Sequence, residues 1–531
     1  MFSGVPERQQ MTEQNPYDAV RYPGTAYSQT HPDRLAVIAR LLGLQPPPLE
    51  SCRVLELGCG DGGNLLPMAF ALPGAQITGV DLSGEAIAAG RAGADAVGLQ
   101  NLHLHHADLM EFNPAAGSFD YIIAHGVYSW TPDAVRDRIL GLCRHCLAPQ
   151  GVAYVSYNTY PGCHIRNMVR EMMLYHVKDI GEAAARMGQA RAVLKFLANS
   201  REHPDVYHTI LQKELKGIED RSDASLYHDD LNPITHPVYF HQFVAHAQAH
   251  SLRYLSEAMF MGIQPDELTP ATVEALEELG DNVIAREQYH DFLTGCRFRR
   301  TLLCRAEIEL DYNLQPEALT SLLASLDLAE PEPAEADLRS PLTREFKTSR
   351  GASITTNRPL AKAALHHLGT VWPRPVPFGE LLTAARSLAR AGNGEEGDAA
   401  DLRELLARGF AAGTIDLHTW APPVAAAVSP RPVASPVARY EIMRWQRVTT
   451  LYHKGLELRD ATARALLGLL DGTRDHEALA ECLVALAREG TIEIPGTQTA
   501  QPPDEAALRS MILHGLQATL RGFARAAILV N

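Results

Sequence analysis

A glycine-rich turn and three carboxylates, set out between residues 54 and 108, are where this chain could do chemistry. Residues 54–64 read VLELGCGDGGN: an apolar run carries Glu56 near its end, and glycines follow at 58, 60, 62 and 63. Glycine lets the chain turn sharply and lets a ligand approach the backbone closely. A helix starting behind such a loop offers free N–H groups to a carboxylate or a phosphate. Gly58, Gly60 and Gly63 also satisfy G-x-G-x-x-G, a pattern that does not by itself choose between nucleotide ligands. Asp81 closes a second apolar run, and Asp108 follows a third. All three carboxylates would then stand at the C-terminal ends of adjacent strands, where open α/β sheets bind ligands.

Together these residues predict S-adenosylmethionine as cofactor. Glu56 is placed to face an ammonium, Asp81 to accept two ribose hydroxyls, and Asp108 to meet the exocyclic amine of adenine. The Asp81 feature is shared with NAD sites. The predicted contact set is Glu56, Gly58, Cys59, Gly60, Gly62, Asn64, Asp81, Leu82, Asp108, Leu109 and His125. A structural turn with surface carboxylates is the plain alternative. A nicotinamide enzyme is disfavoured, because nothing resembles an acid–base pair for hydride transfer.

Positioning such a loop takes alternating strands and helices. Residues 52–57 (CRVLEL), 76–80 (QITGV), 101–106 (NLHLHH), 119–124 (FDYIIA) and 151–157 (GVAYVSY) read as strands, with helices over 84–96 and 134–146. This alternation predicts an α/β fold with a doubly wound, Rossmann-like sheet. A helical stretch over 164–217 follows, with Met168, Met172, Leu174, Val177, Val193, Phe196 and Leu197 as its core register. A helix over 237–250 and strands over 252–259 and 298–305 would complete seven strands. The expected domains are an N-terminal lid segment (1–50), a discontinuous catalytic domain (51–163 and 237–306) and a helical insertion within a regulatory region (164–236). A linker (307–342) and two mainly helical, winged-helix-like units (343–420 and 439–531) follow. The acidic, Pro-rich run 326–342 suggests the linker, and the Pro/Ala-rich run 421–438 separates the two units. Residues 414–420 and 448–458 read as strands, and 460–470, 475–488 and 504–527 as helices.

The segments YPGTAYSQTHPDRL (22–35), CRVLELGCGDGGNLLPMA (52–69), FDYIIAHGVYSWTP (119–132), GVAYVSYNTYPG (151–162), LYHDDLNPITHPVYFHQFVAHA (226–247) and FRRTLLCR (298–305) resemble bacterial class I methyltransferases that carry a methyltransferase regulatory domain. The first motif of class I enzymes has the form E-x-G-x-G-x-G. The resemblance covers about residues 15 to 305. Cys163-His164 depart from it, standing where an aromatic is expected. The resemblance implies S-adenosylmethionine-dependent methyl transfer, and it includes lysine methyltransferases of bacterial surface proteins. It places the loop after the fourth strand beside the reactive methyl group.

On that reading Tyr128 and Trp130, in HGVYSWTP (125–132), and Asn158 and Tyr160, leaving the fifth strand, form the acceptor pocket. Methyl transfer is an in-line displacement at an activated sulfonium, so it needs positioning more than acid–base groups. A lysine amine must arrive neutral, and an aromatic, dehydrated pocket lowers its pKa. Tyr17, Tyr22, Tyr27 and His31 precede the first strand as a possible lid. Simple packing is the alternative for each of these aromatics. A small-molecule methyltransferase would share every cofactor residue, and a non-enzymatic S-adenosylmethionine sensor is a third reading.

Composition bounds the rest. Of 531 residues, 48 are Lys or Arg and 63 Asp or Glu, so the formal charge is 48 − 63 = −15. That balance repels a phosphate backbone, so nucleic acid is a poor partner and a basic, lysine-bearing protein a better one. Eight scattered cysteines suggest a reducing cytoplasm rather than a disulfide framework. The polar stretch 1–14 shows no signal peptide, and Met11 is an alternative start. Cys143-Arg-His-Cys146 lacks a second pair and is not expected to bind metal. His103 and His105, on one face of a strand, and His106 read as solvated. No membrane span is expected, and the oligomeric state is left open, a dimer included.

Overall fold

Apolar runs at 53–57 and 119–124 have both faces to bury, and they do so in one sheet. The computed structural model describes residues 20, 22, 24–259, 268–280, 282–312, 314–329, 338–390, 394–492 and 505–530. Seven strands, β1 (Arg53–Leu57), β2 (Gln76–Asp81), β3 (Leu102–His106), β4 (Phe119–Ala124), β5 (Leu147–Asn158), β6 (Leu252–Glu257) and β7 (Phe298–Arg305), pair in the order β3-β2-β1-β4-β5-β7-β6. The first five run parallel, whereas β7 is antiparallel to both β5 and β6. The expected seven-stranded Rossmann-like sheet is therefore present.

Helices cover both faces. On one side lie α1 (Pro32–Leu41), α2 (Leu65–Ala71) and α3 (Gly84–Val97), in a core with Val54, Ile77, Tyr121 and Val152. On the other lie α4 (Asp133–Cys146) and α5 (Phe240–Ala249), packing Ile139, Leu142, Phe243 and Val244 against Leu55, Ile122 and Val155. The alternation of inward and outward side chains along each strand sends its residues to the two faces. The helix expected at 237–250 starts three residues late, because Val238 instead bridges Thr159.

The insertion after β5 folds as three helices, Cys163–Val177, Ala183–Ala198 and Val206–Glu219, around Val169, Met173, Leu194 and Leu211. Phe196, expected in that core, is 71% exposed. Leu194 and Ala198, one turn apart, take the inward face, and position 196 points away from it.

Three further expectations are corrected. The segment expected as a linker at 307–342 buries Leu319, Leu322, Ala324, Leu326 and Leu328. Its strand Leu323–Ser325 is the centre of a three-stranded sheet with Val376–Pro377 and Asp416–His418. The acidic composition lies mostly in 330–337, outside the described residues. The Pro/Ala-rich run 421–438 is likewise structural: Val433–Ala434 pairs with Leu529–Val530, and small apolar Ala425, Ala434 and Ala438 are buried. Residues 448–458 form two antiparallel strands, Arg447–Thr449 and Gly455–Glu457, rather than one. The turn between them carries His453 at φ +57°.

After an unanticipated hairpin that pairs Arg344–Lys347 with Ser353–Thr356, three helices follow at Pro359–Val371, Phe378–Ala389 and Glu395–Ala411. The helices expected near the C-terminus appear at Ala461–Leu469, His476–Arg488 and Glu505–Arg525. Among the described residues no helix is long and apolar enough to cross a membrane.

Candidate active site

The loop after β1 is shaped by its glycines. Gly58, Gly60 and Gly62 have φ of +73°, +55° and +71°, a region other residues enter at a cost. At Gly63 the reason is space: a Cβ there would lie 2.5 Å from the carbonyl oxygen of Gly24. The segment around Gly24 thus lies directly on the loop. Of its aromatics, Tyr27 lies tilted against His125 with ring centroids 4.0 Å apart. Tyr22 meets His228, and His31 caps α1 by accepting from the backbone N–H of Asp33. Tyr17 lies outside the described residues.

Glu56 ends the strand buried, with one oxygen satisfied and one not. Its Oε1 accepts from Asn64 Nδ2 at 2.8 Å, while Oε2 has no hydrogen-bond partner among the described residues. Burial lifts the carboxyl from the usual range to about 8, although the Asn64 bond opposes this. A buried, half-satisfied carboxylate costs free energy unless a donor meets it. The ammonium of an amino-acid-bearing cofactor supplies such a donor.

Asn64 is itself held from three directions. Its Oδ1 accepts from the backbone N–H of Tyr27 at 3.0 Å and from Nε2 of His453 at 2.8 Å, and its Nδ2 donates to Thr30 Oγ1 at 3.0 Å. Sequence reasoning missed His453, because no local pattern announces a partner so distant in the chain.

Asp81 closes β2, and its two oxygens accept from the backbone N–H groups of Gly60 and Ser83, each at 2.8 Å. It therefore shapes the loop. Leu82 next to it is half exposed. Asp108, exposed after β3, accepts from the Met110 N–H at 2.9 Å, with Leu109 partly buried beside it. Cys59 turns inward: its Sγ is close enough to Gly79 that a Cβ there would sit 2.7 Å away. Only its backbone remains on the loop surface.

His125, after β4, has Nδ1 3.0 Å from the Tyr154 hydroxyl and 3.2 Å from Ser156 Oγ. Burial, aided by Arg300, lowers its pKa to about 3 and keeps the ring neutral.

The four expected acceptor residues divide. Tyr128 is a core residue, 1% exposed, between Tyr157 and Phe243, with its hydroxyl 2.8 Å from His246 Nδ1. At that burial it cannot line an acceptor pocket. Trp130 is half-buried, with the Arg166 guanidinium 5.7 Å from its ring centroid. Asn158 donates its backbone N–H to Ser129 Oγ at 2.8 Å, which ties the end of β5 to the 128–130 turn. Its carboxamide makes no hydrogen bond among the described residues. Tyr160 is half-buried, stacked on His164 at 4.0 Å and tilted against Tyr239 at 5.3 Å. The His164 departure thus supplies a flat ring in place of an aromatic carbocycle.

Of the remaining motifs, Cys143 and Cys146 lie inside α4 with thiols pushed up by burial to about 12 and about 11. His103 reaches Gln76, and His106 reaches the Leu82 carbonyl.

A seven-stranded sheet, parallel but for its antiparallel β7, with this loop, an orphan carboxylate oxygen at the end of β1 and carboxylates at the end of β2 and after β3 defines a class I methyltransferase. Comparison with known proteins agrees along the whole chain. A "Methyltransferase domain" family matches residues 54–151, a "Predicted methyltransferase regulatory domain" matches 222–305, and a "PKMT, C-terminal winged helix domain" matches 430–528. An uncharacterized protein of Rickettsia prowazekii is 31% identical over 498 residues, covering 91% of this chain and 88% of the relative. PKMT2 from Rickettsia typhi, solved in complex with AdoHcy, superposes with a TM-score of 0.86 at 28% identity, covering 96% of this chain and 100% of that one. An arsenite methyltransferase of Aquipseudomonas alcaligenes is 32% identical over 168 residues, 29% of this chain and 46% of its own length. The chain belongs to the class I S-adenosylmethionine-dependent methyltransferases that carry a regulatory domain and a C-terminal winged helix. It is an enzyme, and S-adenosylmethionine is its cofactor. The regulatory-domain match falls on 222–305 and so takes in the end of the helical insertion together with β6 and β7.

Proposed function

We propose that the chain transfers the methyl group to lysine side chains of a protein. The observation that carries this reading is the end of β5, where the unpartnered carboxamide of Asn158 sits beside the Trp130 turn. PKMT2, whose name denotes a protein lysine methyltransferase, shares the whole architecture. Bound cofactor supplies an activated methyl on a sulfonium. This chain's residues bind, orient and exclude water.

In this reading Glu56 Oε2 receives the cofactor ammonium, Asp81 the ribose hydroxyls and Asp108 the adenine amine. The loop residues Gly58, Gly60, Gly62 and Asn64 cradle it, the Cys59 backbone contributes, and Leu82, Leu109 and His125 flank it. Asn158 holds the acceptor nitrogen through its carboxamide oxygen. Trp130 and Tyr160 enclose the aliphatic stem of the lysine. Arg166, fixed by Asp230 at 2.9 Å, places a positive charge beside Trp130. That charge disfavours an ammonium and so favours the neutral amine that must attack. The eight free thiols support a reducing, cytoplasmic setting.

The test is incubation of the full chain with methyl-labelled cofactor and a cell lysate, followed by mass spectrometry. Label on protein lysines is the expected result. Label confined to small metabolites, or to carboxylates and hydroxyls, overturns the acceptor assignment.

A further inference from the structure

Away from the cofactor loop, α4 and α5 bring together three groups that the methyl-transfer reading does not use. His246 and His250 are one turn apart and share a face of the α5 end. Asp137, on α4, faces them: its Oδ1 lies 2.8 Å from Nε2 of His250 and 3.4 Å from Nε2 of His246. The three ligand-type atoms all fall within 4.8 Å of one another.

We propose that Asp137, His246 and His250 form a binding site for a divalent transition-metal ion of the zinc class. Imidazole nitrogen and carboxylate oxygen bind zinc at about 2.0–2.2 Å, which sets neighbouring donors roughly 3.3 Å apart in a tetrahedron. The observed 2.8 and 3.4 Å bracket that separation. Two imidazoles select this class over magnesium or calcium, which prefer all-oxygen shells.

A second, independent feature points the same way. Nδ1 of His246 is 2.8 Å from the hydroxyl of Tyr128. If Nδ1 carries the proton and donates to that hydroxyl, the lone pair of Nε2 faces Asp137 and is free for an ion. Ligating histidines are oriented in this way by a partner on the other nitrogen. The nearby cation does not fill the role, because Arg136 is paired with Asp133 and lies over the Tyr128 ring. The Asp137 side chain is 65% exposed, so ions reach the site and water completes the shell.

The ion would join the helix between β4 and β5 to the helix that leads into β6. Through Tyr128 it would also brace the turn that carries Trp130. Its place would be structural.

The experiment uses the full chain after treatment with a chelator. Titration with Co²⁺, followed by d–d absorption, and with Zn²⁺ in competition with a chromophoric chelator, measures stoichiometry and affinity. We expect one ion per chain and loss of that ion in the His246→Gln/His250→Gln double variant. Asp137→Asn, at an exposed position that leaves the core intact, should weaken binding about tenfold. Zn²⁺ should raise the unfolding temperature of the unsubstituted chain but not of the double variant. Absence of binding at micromolar metal, or equal stoichiometry in the double variant, would show an aspartate–histidine ion pair only and overturn the proposal.

Discussion

Nε2 of His453 lies 2.8 Å from Oδ1 of Asn64, although 389 positions separate the two residues. Oδ1 already accepts from the Tyr27 backbone N–H, so it is the carbonyl oxygen of the amide, and His453 must donate to it. Burial holds the His453 pKa well below 6.5, which keeps the ring neutral. The chain is Glu56–Asn64–His453: the winged-helix region helps hold the buried Glu56 carboxylate. A matching contact lies nearby, where Asp33 of α1 accepts from Thr419 N–H at 2.6 Å and pairs with His418 at 2.7 Å.

His453→Ala should therefore weaken S-adenosylhomocysteine binding about five- to tenfold, equivalent to roughly 1–1.4 kcal/mol for one buried hydrogen bond. Calorimetry of the full chain measures this directly. An unchanged dissociation constant would mean that the contact fastens the domains without touching the site.

Glu56 predicts a proton count. With its carboxyl at about 8, the free protein holds it protonated at pH 7. An ammonium favours the carboxylate, so binding should expel about one proton at pH 7, falling towards zero above pH 8. Titrations in two buffers of different ionisation enthalpy reveal the release. Glu56→Gln should abolish it and weaken affinity at least about tenfold, as a charge-assisted bond is worth roughly 1.5–3 kcal/mol. Identical apparent enthalpies in both buffers for the unsubstituted chain would contradict the assignment.

Asp81→Ala should cost more than its ribose contacts. The carboxylate also organises the Gly60 and Ser83 N–H groups, so binding should fall at least about tenfold. Restoration of affinity by Asp81→Asn would argue that charge is unimportant there.

Trp130→Ala should lower turnover about tenfold or more while cofactor affinity stays nearly constant, since only acceptor positioning is lost. Tyr128→Phe should behave differently. It removes a buried hydroxyl bonded to His246 and should cost about 1 kcal/mol of stability. Denaturant titration and product-complex calorimetry separate the two variants; a Trp130→Ala chain with normal turnover would remove that residue from the acceptor side.

Acid should destabilise the unliganded chain through its buried histidines. The pKa of His31 falls from 6.5 to about 4 and that of His125 from 6.5 to about 3, both first by burial. Between those values and 6.5 the unfolded state binds more protons, so stability is lost as pH falls through that window. His125→Asn should flatten the decline of the urea midpoint below pH 6.5, and an unaltered slope would point to other groups.

How far the sequence revealed this molecule differs by region. Glu56, the glycines, Asp81 and Asp108 were legible because a strand, a turn and a helix in direct succession place them, and that order is local. Tyr128 was misjudged because an aromatic after β4 suits either a pocket or a core. Its burial depends on Phe243 and Tyr157, which tertiary packing brings to it. The Leu319–Leu328 stretch was hidden by the acidic run beside it, although its alternating apolar positions carried a strand signal. His453 could not be read at all: its partner is set by domain docking, and its neighbours form only a short hairpin.

The position of β7 has a consequence during synthesis. In the finished sheet Phe298 pairs with Asn158, so 139 residues are made between one partner and the other. At about 5–20 residues per second this takes roughly 7–28 s, a long time for a strand edge to stand open. Throughout that interval β5 is the outer strand of a five-strand sheet, with the Cys163–Glu219 helices emerging next to it. A ribosome stalled before residue 298 would thus hold an adhesive nascent chain, and chaperone demand should peak in that stretch of translation.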